Sequence, residues 1–318
     1  MTDIAITTQE LAPTPSLEAI LSEFAAYLNI KRRKAATITT YINAIRQFWA
    51  FTQERGTGID GCQTVTAWRD AMAAENKAAS TIQLYITAIK RFTAWAAKFG
   101  HIQAKVADGV NEVEVDRVEK DFRRDCLTEN QARQLLESVD RTTLKGMRDY
   151  ALLALMTTCG LRDCEISRAK INDFTTFNGV CTLYVYGKGH GAADAKVKPG
   201  VKTELAIRQY LAERGETDPE APLFASTGNR NATGKPIDPK SISRLVKSYL
   251  DKIRLAGQNI SPHSLRHTAA TVALKQGRSL QEVQSMMRHK SINTTMIYAH
   301  NLDFANRMAE QCVEDAIM

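Results

Sequence analysis

Apolar side chains recur at helical spacing through the N-terminal third of this chain. Four segments place them three and four positions apart, which is the period of a helix with one buried face. The first segment begins after Ser16, whose hydroxyl group can cap a helix. The pattern predicts a domain of four helices over residues 16–98, preceded by a flexible N-terminus over residues 1–15. Pairs near the middle of the four stripes are Leu21 and Phe24, Ile42 and Ile45, Val65 and Trp68, and Ile86 and Ile89.

The second and fourth of these helices carry similar motifs. Y-I-N-A-I-R-Q-F starts at Tyr41 and Y-I-T-A-I-K-R-F at Tyr85, each a few residues after a K-A-A run. Because only two copies exist, the motif indicates two similar helix-turn-helix halves rather than a solenoid. Basic side chains near these helices either form a solvated surface or contact the phosphates of a nucleic acid. They are Lys31, Arg32, Arg33, Lys34, Arg46, Lys77, Lys90 and Arg91.

The pattern changes beyond the fourth helix. Residues 99–125 carry dense charge of both signs without a sustained apolar stripe, which predicts an interdomain linker. Helical spacing resumes after Thr128, and residues 180–188 alternate apolar and polar side chains into the turn G-K-G-H-G, as a strand entering a hairpin does. We therefore predict a second domain over residues 126–298, mainly helical with a small antiparallel sheet, and a tail helix over residues 299–318.

Length and charge narrow the class of protein. The chain has 318 residues, enough for two domains with separate cores. Its net charge of +7 and sequence pI of about 9.0 favour a polyanionic partner. It lacks both a run of about 18 apolar residues and the residue order of a signal peptide, so we expect a cytoplasmic protein without a membrane partner. Its six cysteines form no C-x-x-C pair, which predicts reduced thiols.

Chemically informative residues stand in three later motifs. G-L-R-D-C-E-I contains Arg162, P-H-S-L-R-H contains His263 and Arg266, and R-H-K-S-I-N-T-T-M-I-Y contains His289 and Tyr298. Guanidinium groups can hold the oxygens of a phosphodiester, and imidazoles exchange protons near neutral pH. A tyrosine hydroxyl, with an ordinary pKa of about 10, needs such surroundings to react as a nucleophile. The combination predicts attack by Tyr298 on a bound phosphodiester.

Two further side chains are expected behind these motifs. Glu165 follows Arg162 by three positions, where it either holds the guanidinium group or is an ordinary surface charge. His267 is expected to pack behind Arg266. His263 and His267 have the spacing of a metal-binding pair, but H-E-x-x-H and a third ligand cluster are missing, so we predict no metal. Without a Walker-type loop we also predict no nucleotide cofactor.

In this order, the motifs resemble those of the tyrosine recombinases, also called the phage integrase family. The resemblance covers nearly the whole chain and implies a helical, SAM-like core-binding domain followed by a mixed α/β catalytic domain. In the family a hairpin lysine protonates the leaving 5′-hydroxyl; Lys188 in G-K-G matches it, although the turn is longer than usual before Lys196 and Lys198. Arg288 stands where the family usually has glycine. The implied catalytic residues are Arg162, Lys188, His263, Arg266, His289 and Tyr298.

The resemblance also implies an activity. DNA strands would be cut and rejoined through a 3′-phosphotyrosine bond, during integration, excision or resolution of a mobile DNA element. The implied partner is double-stranded DNA with paired core sites, bound by a homotetramer at the nucleoid, and accessory DNA-bending proteins are allowed. The tail helix would dock on its own domain or on a neighbouring protomer. Two alternatives stay open: a type IB topoisomerase, and a non-catalytic DNA-binding regulator of the same fold.

Overall fold

The chain divides into two compact units, Met1–Asp121 and Phe122–Met318. The computed structural model describes residues 16–59, 61–115, 126–187, 195–227, 233–255, 260–306, 314–315 and 317–318, with the backbone alone at residues 300–306. The segment predicted as a flexible N-terminus, residues 1–15, and Lys188 lie outside the described residues.

The described part of the first unit is helical. The hydroxyl group of Ser16 accepts a hydrogen bond from the backbone N–H of Ala19 at 3.3 Å, so the predicted cap begins the first helix. The predicted apolar stripes meet in one core, where Phe24, Phe48 and Ile86 are fully buried. Each such side chain contributes roughly 1.5–3 kcal/mol by leaving water. The helices are α1 (Leu17–Ile30), α2 (Ala35–Glu54), α3 (Cys62–Ala74), α4 (Ala79–Lys98) and α5 (Ala104–Asn111).

The two helices with the similar motifs, α2 and α4, pack against each other. The amide of Gln47 donates to the hydroxyl group of Tyr85 at 3.3 Å between them. The ring of Tyr85 also stacks on that of Trp68, with centroids 6.0 Å apart, and so connects α3 to the pair. The similar motifs therefore form the middle of the unit.

Helix α5 lies inside the segment predicted as an interdomain linker, and here the structure differs from the expectation. Val110 and Val113 are buried in the core of the first unit. The ammonium group of Lys90 donates to the backbone carbonyls of Asn111 and Val113, at 2.9 and 2.7 Å, at the C-terminal end of α5. A helix of eight residues with few buried apolar side chains is too short to show a sustained stripe.

The second unit is helical with one small sheet, as predicted. Its three antiparallel strands have the order β1 (Phe174–Phe177), β2 (Val180–Val185) and β3 (Ala195–Val197). In the central strand, Leu183 pairs with Phe174 on one side and Val197 on the other, and it is fully buried. The helices are α6 (Glu129–Glu137), α7 (Leu144–Cys159), α8 (Asp163–Arg168), α9 (Val201–Arg214), α10 (Pro239–Lys252), α11 (Pro262–Lys275), α12 (Leu280–Met287) and α13 (Asn293–Asn306).

Helix α7 is buried on nearly all sides and is the central helix of this unit. It ends at Gly160, whose φ of +60° is left-handed. A Cβ atom there would lie 2.7 Å from the sulfur of Met287, so both the backbone and the packing require glycine. The tight turn brings the chain directly to Arg162.

A second feature of α7 is a buried ion pair between neighbouring residues. Nη2 of Arg148 lies 2.6 Å from Oδ1 of Asp149, and Nη1 donates to the carbonyl of Ala225 at 2.8 Å and to the hydroxyl group of Thr227 at 3.1 Å. The hydroxyl group of Tyr249 on α10 donates to Oδ2 of Asp149 at 3.1 Å. Burial, together with the Asp149 carboxylate, raises the pKa of Tyr249 to about 12. The network joins three parts of the unit.

Helix α13 continues past the residue at which the second domain was predicted to end. It carries Tyr298 and runs without interruption to Asn306, so the predicted border between catalytic domain and tail falls inside a helix. Met308 and Cys312, two apolar residues of the predicted tail helix, lie outside the described residues. In the described part of the chain, no helix combines the length and the apolar character that crossing a membrane requires.

Candidate active site

Four parts of the second unit bring the predicted side chains together. The turn after α7 and the start of α8 supply Arg162 and Glu165. Helix α11, which contacts α7, α12 and α13, is the element that connects these parts. It supplies His263, Arg266 and His267, the turn after α12 supplies Arg288 and His289, and α13 supplies Tyr298.

Glu165 lies at the centre of the charged groups, with 1% of its side chain exposed. Its Oε1 accepts from Nη1 of Arg162 at 2.6 Å, and its Oε2 accepts from the backbone N–H of Arg162 at 2.9 Å and from Nη2 of Arg288 at 2.8 Å. Burial opposes ionisation of this carboxyl group, but the two arginines outweigh burial and hold its pKa below the ordinary value. Glu165 is therefore a charged partner of two guanidinium groups.

Arg266 is the most deeply buried of the arginines, with 1% of its surface exposed. Its Nη1 donates to the carbonyl of Gly160 and its Nη2 to the carbonyl of Met287, so among the described residues two of its five N–H groups have an acceptor. Burial, followed by repulsion from Arg162 and Arg288, lowers its pKa to about 9. The group remains cationic at neutral pH.

Arg288 has a place in this cluster that sequence reasoning did not find. Its backbone is left-handed, with φ of +53°, and caps the end of α12. Its guanidinium group, besides binding Glu165, donates to the carbonyls of Gly160 at 2.9 Å and Met286 at 2.6 Å. The available signal was an arginine at a position where a left-handed turn favours glycine.

His289 is held by the turn between α12 and α13. Its Nδ1 lies 2.9 Å from the hydroxyl oxygen of Thr295, which is fully buried. The side chain of Gln284 donates to the backbone carbonyl of His289 at 3.1 Å. Burial, and then the charges of Arg266, Arg162 and Arg288, lower the pKa of His289 to about 4, so its imidazole is neutral at pH 7.

The rings of three histidines and the tyrosine form a continuous row. His263 is exposed and contacts buried His267 edge to face, with centroids 4.7 Å apart. His267 contacts Tyr298 at 5.0 Å, and Tyr298 stacks nearly parallel to His289 at 6.1 Å. Tyr298 itself is 5% exposed and packs with Met287. His267 therefore lies between the exposed histidine and the tyrosine.

The hairpin that contains Lys188 connects β2 to β3, and its described base lies beside this region. Strand β2 contacts α8, the helix of Glu165. Nη1 of Arg168 donates to the carbonyl of Gly187 at 3.1 Å, directly before Lys188 in the chain. Lys196, further along the hairpin, lies with its ammonium group 3.7 Å from the ring centroid of Phe177.

Three of the predicted DNA-binding cations of the first unit bind carboxylates or backbone carbonyls: Arg46 binds Glu18, Lys77 binds Glu75, and Lys90 binds the carbonyls at the end of α5. Three others, Lys31, Arg33 and Arg91, line a cleft of about 440 Å³ together with the ring of Trp95. The exposed members of the whole set are Lys31, Arg32, Arg33, Lys34, Arg46 and Arg91.

Proteins of known sequence are similar to this chain in amino-acid sequence. A tyrosine recombinase XerC of Mycobacterium sp. (strain JLS) is 29% identical over 89% of this chain and 94% of its own length. A tyrosine recombinase XerC of Pelobacter propionicus is 36% identical over 54% of this chain, a match that spans about half (53%) of that relative. These named relatives are recombinases, which does not favour the topoisomerase and regulator alternatives.

Solved structures with a similar fold include a XerH site-specific recombinase bound to a palindromic difH substrate. It has a TM-score of 0.70 and 19% identity, over 91% of this chain and 84% of that one. A lambda integrase dimer bound to a COC′ core site has a TM-score of 0.67 and 19% identity, over 89% and 77%. Residues 21–100 match the N-terminal SAM-like domain of phage integrases, and residues 125–304 match the phage integrase family. The resemblance predicted from the motifs is confirmed: this chain belongs to the phage integrase family, the tyrosine recombinases.

Proposed function

We propose that this chain cuts and rejoins DNA at specific sites, with Tyr298 as the nucleophile and a 3′-phosphotyrosine bond as the intermediate. The observation that carries the proposal is an excess of positive charge beside the tyrosine. Arg162 and Arg288 bind the one carboxylate, that of Glu165, and Arg266 adds a third positive charge nearby. His289 stacks on the tyrosine ring and is neutral. Such a cluster suits an anion whose charge grows during attack.

Two arginines form the proposed phosphate clamp. Arg162 is 30% exposed and donates one N–H of its guanidinium group to Glu165, so its remaining donors can bind a non-bridging phosphate oxygen. Arg266 lies deeper, and the N–H groups that do not bind Gly160 and Met287 would supply a donor to the second oxygen. His263, exposed at the start of α11, would add a further donor from the outer side.

His289 is the proposed acceptor for the tyrosine proton. A neutral imidazole can take a proton, but a pKa of about 4 makes it a weak base towards a phenol whose ordinary pKa is about 10. A bound phosphate places negative charge beside the arginines that repel the imidazolium ion. DNA binding should therefore raise the pKa of His289 and improve the match between base and nucleophile.

The proposed reaction exchanges one phosphodiester for another. The oxygen of Tyr298 bonds to phosphorus, the bond to the 5′-oxygen breaks, and Lys188 gives that oxygen a proton. In the reverse step a 5′-hydroxyl of the partner strand attacks the phosphotyrosine and releases the phenol. The bond count is conserved, so the reaction needs no nucleotide hydrolysis.

The proposed partner is double-stranded DNA with paired core sites. Of the two structures of similar fold described above, one is bound to a palindromic difH substrate and the other to a COC′ core site. In this chain the exposed cations Lys31, Arg33 and Arg91 line one cleft and form a basic surface suited to phosphates. Assembly as a homotetramer, help from DNA-bending proteins, a cytoplasmic location at the nucleoid and service to a mobile element belong to the same proposal.

The first experiment is a search for a covalent adduct in EDTA. Wild-type protein and Tyr298→Phe are incubated with labelled DNA from the region flanking the gene, and adducts that resist SDS are counted. Wild-type protein should form an adduct, and Tyr298→Phe should bind the DNA equally but form none. Tyr150→Phe is a matched control, because Tyr150 is a partly buried tyrosine of the same unit that contacts Arg141. Adduct formation by Tyr298→Phe would contradict the proposal.

The role of Lys188 has its own test. Lys188→Ala should slow adduct formation, and a substrate with sulfur in place of the 5′-bridging oxygen should restore the rate, since a thiolate leaves without a proton. Lys196→Ala is the control, because its ammonium group contacts Phe177 and Tyr184. The acid would be a residue other than Lys188 if the sulfur-containing substrate restored the rate of Lys196→Ala. The same would follow if that substrate failed to restore the rate of Lys188→Ala.

A further inference from the structure

Arg288 has a left-handed backbone, a strained conformation that favourable contacts of its side chain must stabilise. A left-handed backbone is strained in an arginine, and glycine would avoid that strain. Its side chain is also largely buried, with 9% exposed, so its guanidinium group has lost most of its water. Donors on this group meet Glu165 and the carbonyls of Gly160 and Met286, which offset both costs.

The contact with Glu165 changes how that carboxylate can bind Arg162. A carboxylate and a guanidinium group form their strongest pair when two parallel N–H groups meet two oxygens. Here Arg162 donates to Oε1 through Nη1 alone, and the other oxygen accepts from Nη2 of Arg288 and from the backbone N–H of Arg162. Arg288 therefore occupies the oxygen that a second side-chain donor of Arg162 would need.

The charges lead to the same conclusion. Three arginines and one carboxylate give the cluster a net charge of two positive units. Without Arg288 the net charge would be one positive unit. Arg288 does not itself bind the phosphate in this proposal, because its donors are directed to Glu165 and to backbone carbonyls. Besides the effect of its charge, Arg288 acts on a bound anion through Glu165 and Arg162.

We propose that Arg288 is a positioning residue for DNA cleavage, which neutralises Glu165 and thereby leaves the outer donors of Arg162 to the scissile phosphate. The inference rests on the proposed function and concerns this chain, since glycine is usual at the position in the family. Arg162 would be drawn into a closed pair with Glu165 if Arg288 were absent. The chemical step would slow, while the affinity for DNA would be kept.

The test is Arg288→Gly, which removes the side chain and suits the left-handed backbone. Single-turnover adduct formation should fall about tenfold, less than the roughly 100-fold or greater loss expected for a donor that touches the reacting group. The dissociation constant for DNA should change less than about twofold, because a largely buried side chain contributes little to the charged surface. A wild-type rate of adduct formation in Arg288→Gly would overturn the inference.

Arg254→Gly is the matched control. Arg254 is also an arginine of the second unit with a left-handed backbone, with φ of +60°, but it is exposed and has no ion pair within the described residues. Glycine there relieves the same backbone strain and removes the same formal charge. Rates and DNA affinity should remain at wild-type values. An equal loss in both variants would overturn the inference, because a general effect of charge would then explain it.

A double-mutant cycle separates positioning from mere support of the fold. In a Glu165→Gln background the carboxylate charge is gone, so Arg288→Gly should slow cleavage by less than about twofold. A supporting role predicts an additive tenfold loss instead, since the bonds to Gly160 and Met286 are lost in either background. Additivity would therefore overturn the inference. Absence of any wild-type adduct despite DNA binding would instead contradict the chemistry proposed for Tyr298.

Discussion

Two buried arginine–carboxylate clusters in the second unit differ in their charge balance. Arg148 and Asp149 form a one-to-one pair, with side chains 5% and 1% exposed. Around Glu165, by contrast, two arginines bind one carboxylate, and Arg266 adds a third positive charge that repels both of them. A buried charge is stable when its partners neutralise it. The first cluster therefore completes the fold, and the second leaves positive charge for an anion that is not part of the protein.

The surroundings of the two clusters support this distinction. The donors of Arg148 meet a carboxylate, the carbonyl of Ala225 and the hydroxyl group of Thr227. In the other cluster Arg162 is 30% exposed, and within the described part of the chain it donates one side-chain N–H, to Glu165. Charge that is both unbalanced and accessible is typical of a binding site.

The largest effect is expected for Arg148→Ala. It leaves the carboxylate of Asp149 buried without its cation, which should lower the free energy of unfolding by about 3–5 kcal/mol. Urea denaturation measures this loss. Protein that remains folded at low temperature should still form the adduct at a rate near that of wild type. A loss below about 1 kcal/mol would contradict the structural role of the pair.

The opposite result is expected for Arg266→Met. Adduct formation should slow roughly 100- to 1,000-fold, as when a donor to a developing oxyanion is removed. The free energy of unfolding should fall less than in Arg148→Ala, because removal of Arg266 relieves repulsion from Arg162 and Arg288. The carbonyl of Met287 loses its bond to Arg266, while that of Gly160 keeps its bond to Arg288. Rapid quench kinetics and urea denaturation on the same preparation give both values. If the two variants lose equal stability, the difference in charge balance has no energetic meaning.

A smaller effect follows from the lowered pKa of His289, about 4 when folded against an ordinary value of 6.5. Between these values the unfolded chain binds the proton and the folded protein does not. The contribution of His289 to stability is therefore complete above pH 6.5 and is lost as the pH falls from 6.5 towards 4. Between pH 7.5 and pH 5, the melting temperature of His289→Asn should fall less than that of the wild-type protein. An equal fall in both proteins would contradict the lowered pKa.

The smallest effect is expected for Tyr249→Phe. The hydroxyl group of Tyr249 donates one hydrogen bond to Asp149, which retains its contacts with Arg148. The free energy of unfolding should fall by about 0.5–1.5 kcal/mol, and adduct formation should not change. Urea denaturation tests the first value. A loss as large as that of Arg148→Ala would show that the hydroxyl group, rather than the ion pair, carries the network.

Some parts of this molecule were predictable because their signals are local. The stripes of α1 to α4, the cap at Ser16, the strand before Lys188 and the order of the motifs each depend on a few neighbouring residues. Helix α5 was missed because it has only eight residues. Two buried valines in or beside it are too few to show a helical repeat of apolar positions. The bonds of Lys90 to the carbonyls at the end of this helix were missed with it.

The spacing of residues along this chain was enough to assign its family, its mainly helical fold and the residue types of its site. Those properties follow from helical period and from the chemistry that arginine, histidine and tyrosine bring wherever they stand. The contact between Arg288 and Glu165 could be found only in the folded chain. Arg288 meets Glu165 from 123 positions away, because α12 ends beside the turn at Gly160. Contacts at such a distance depend on how helices pack, and packing is a property of the whole unit rather than of any one segment.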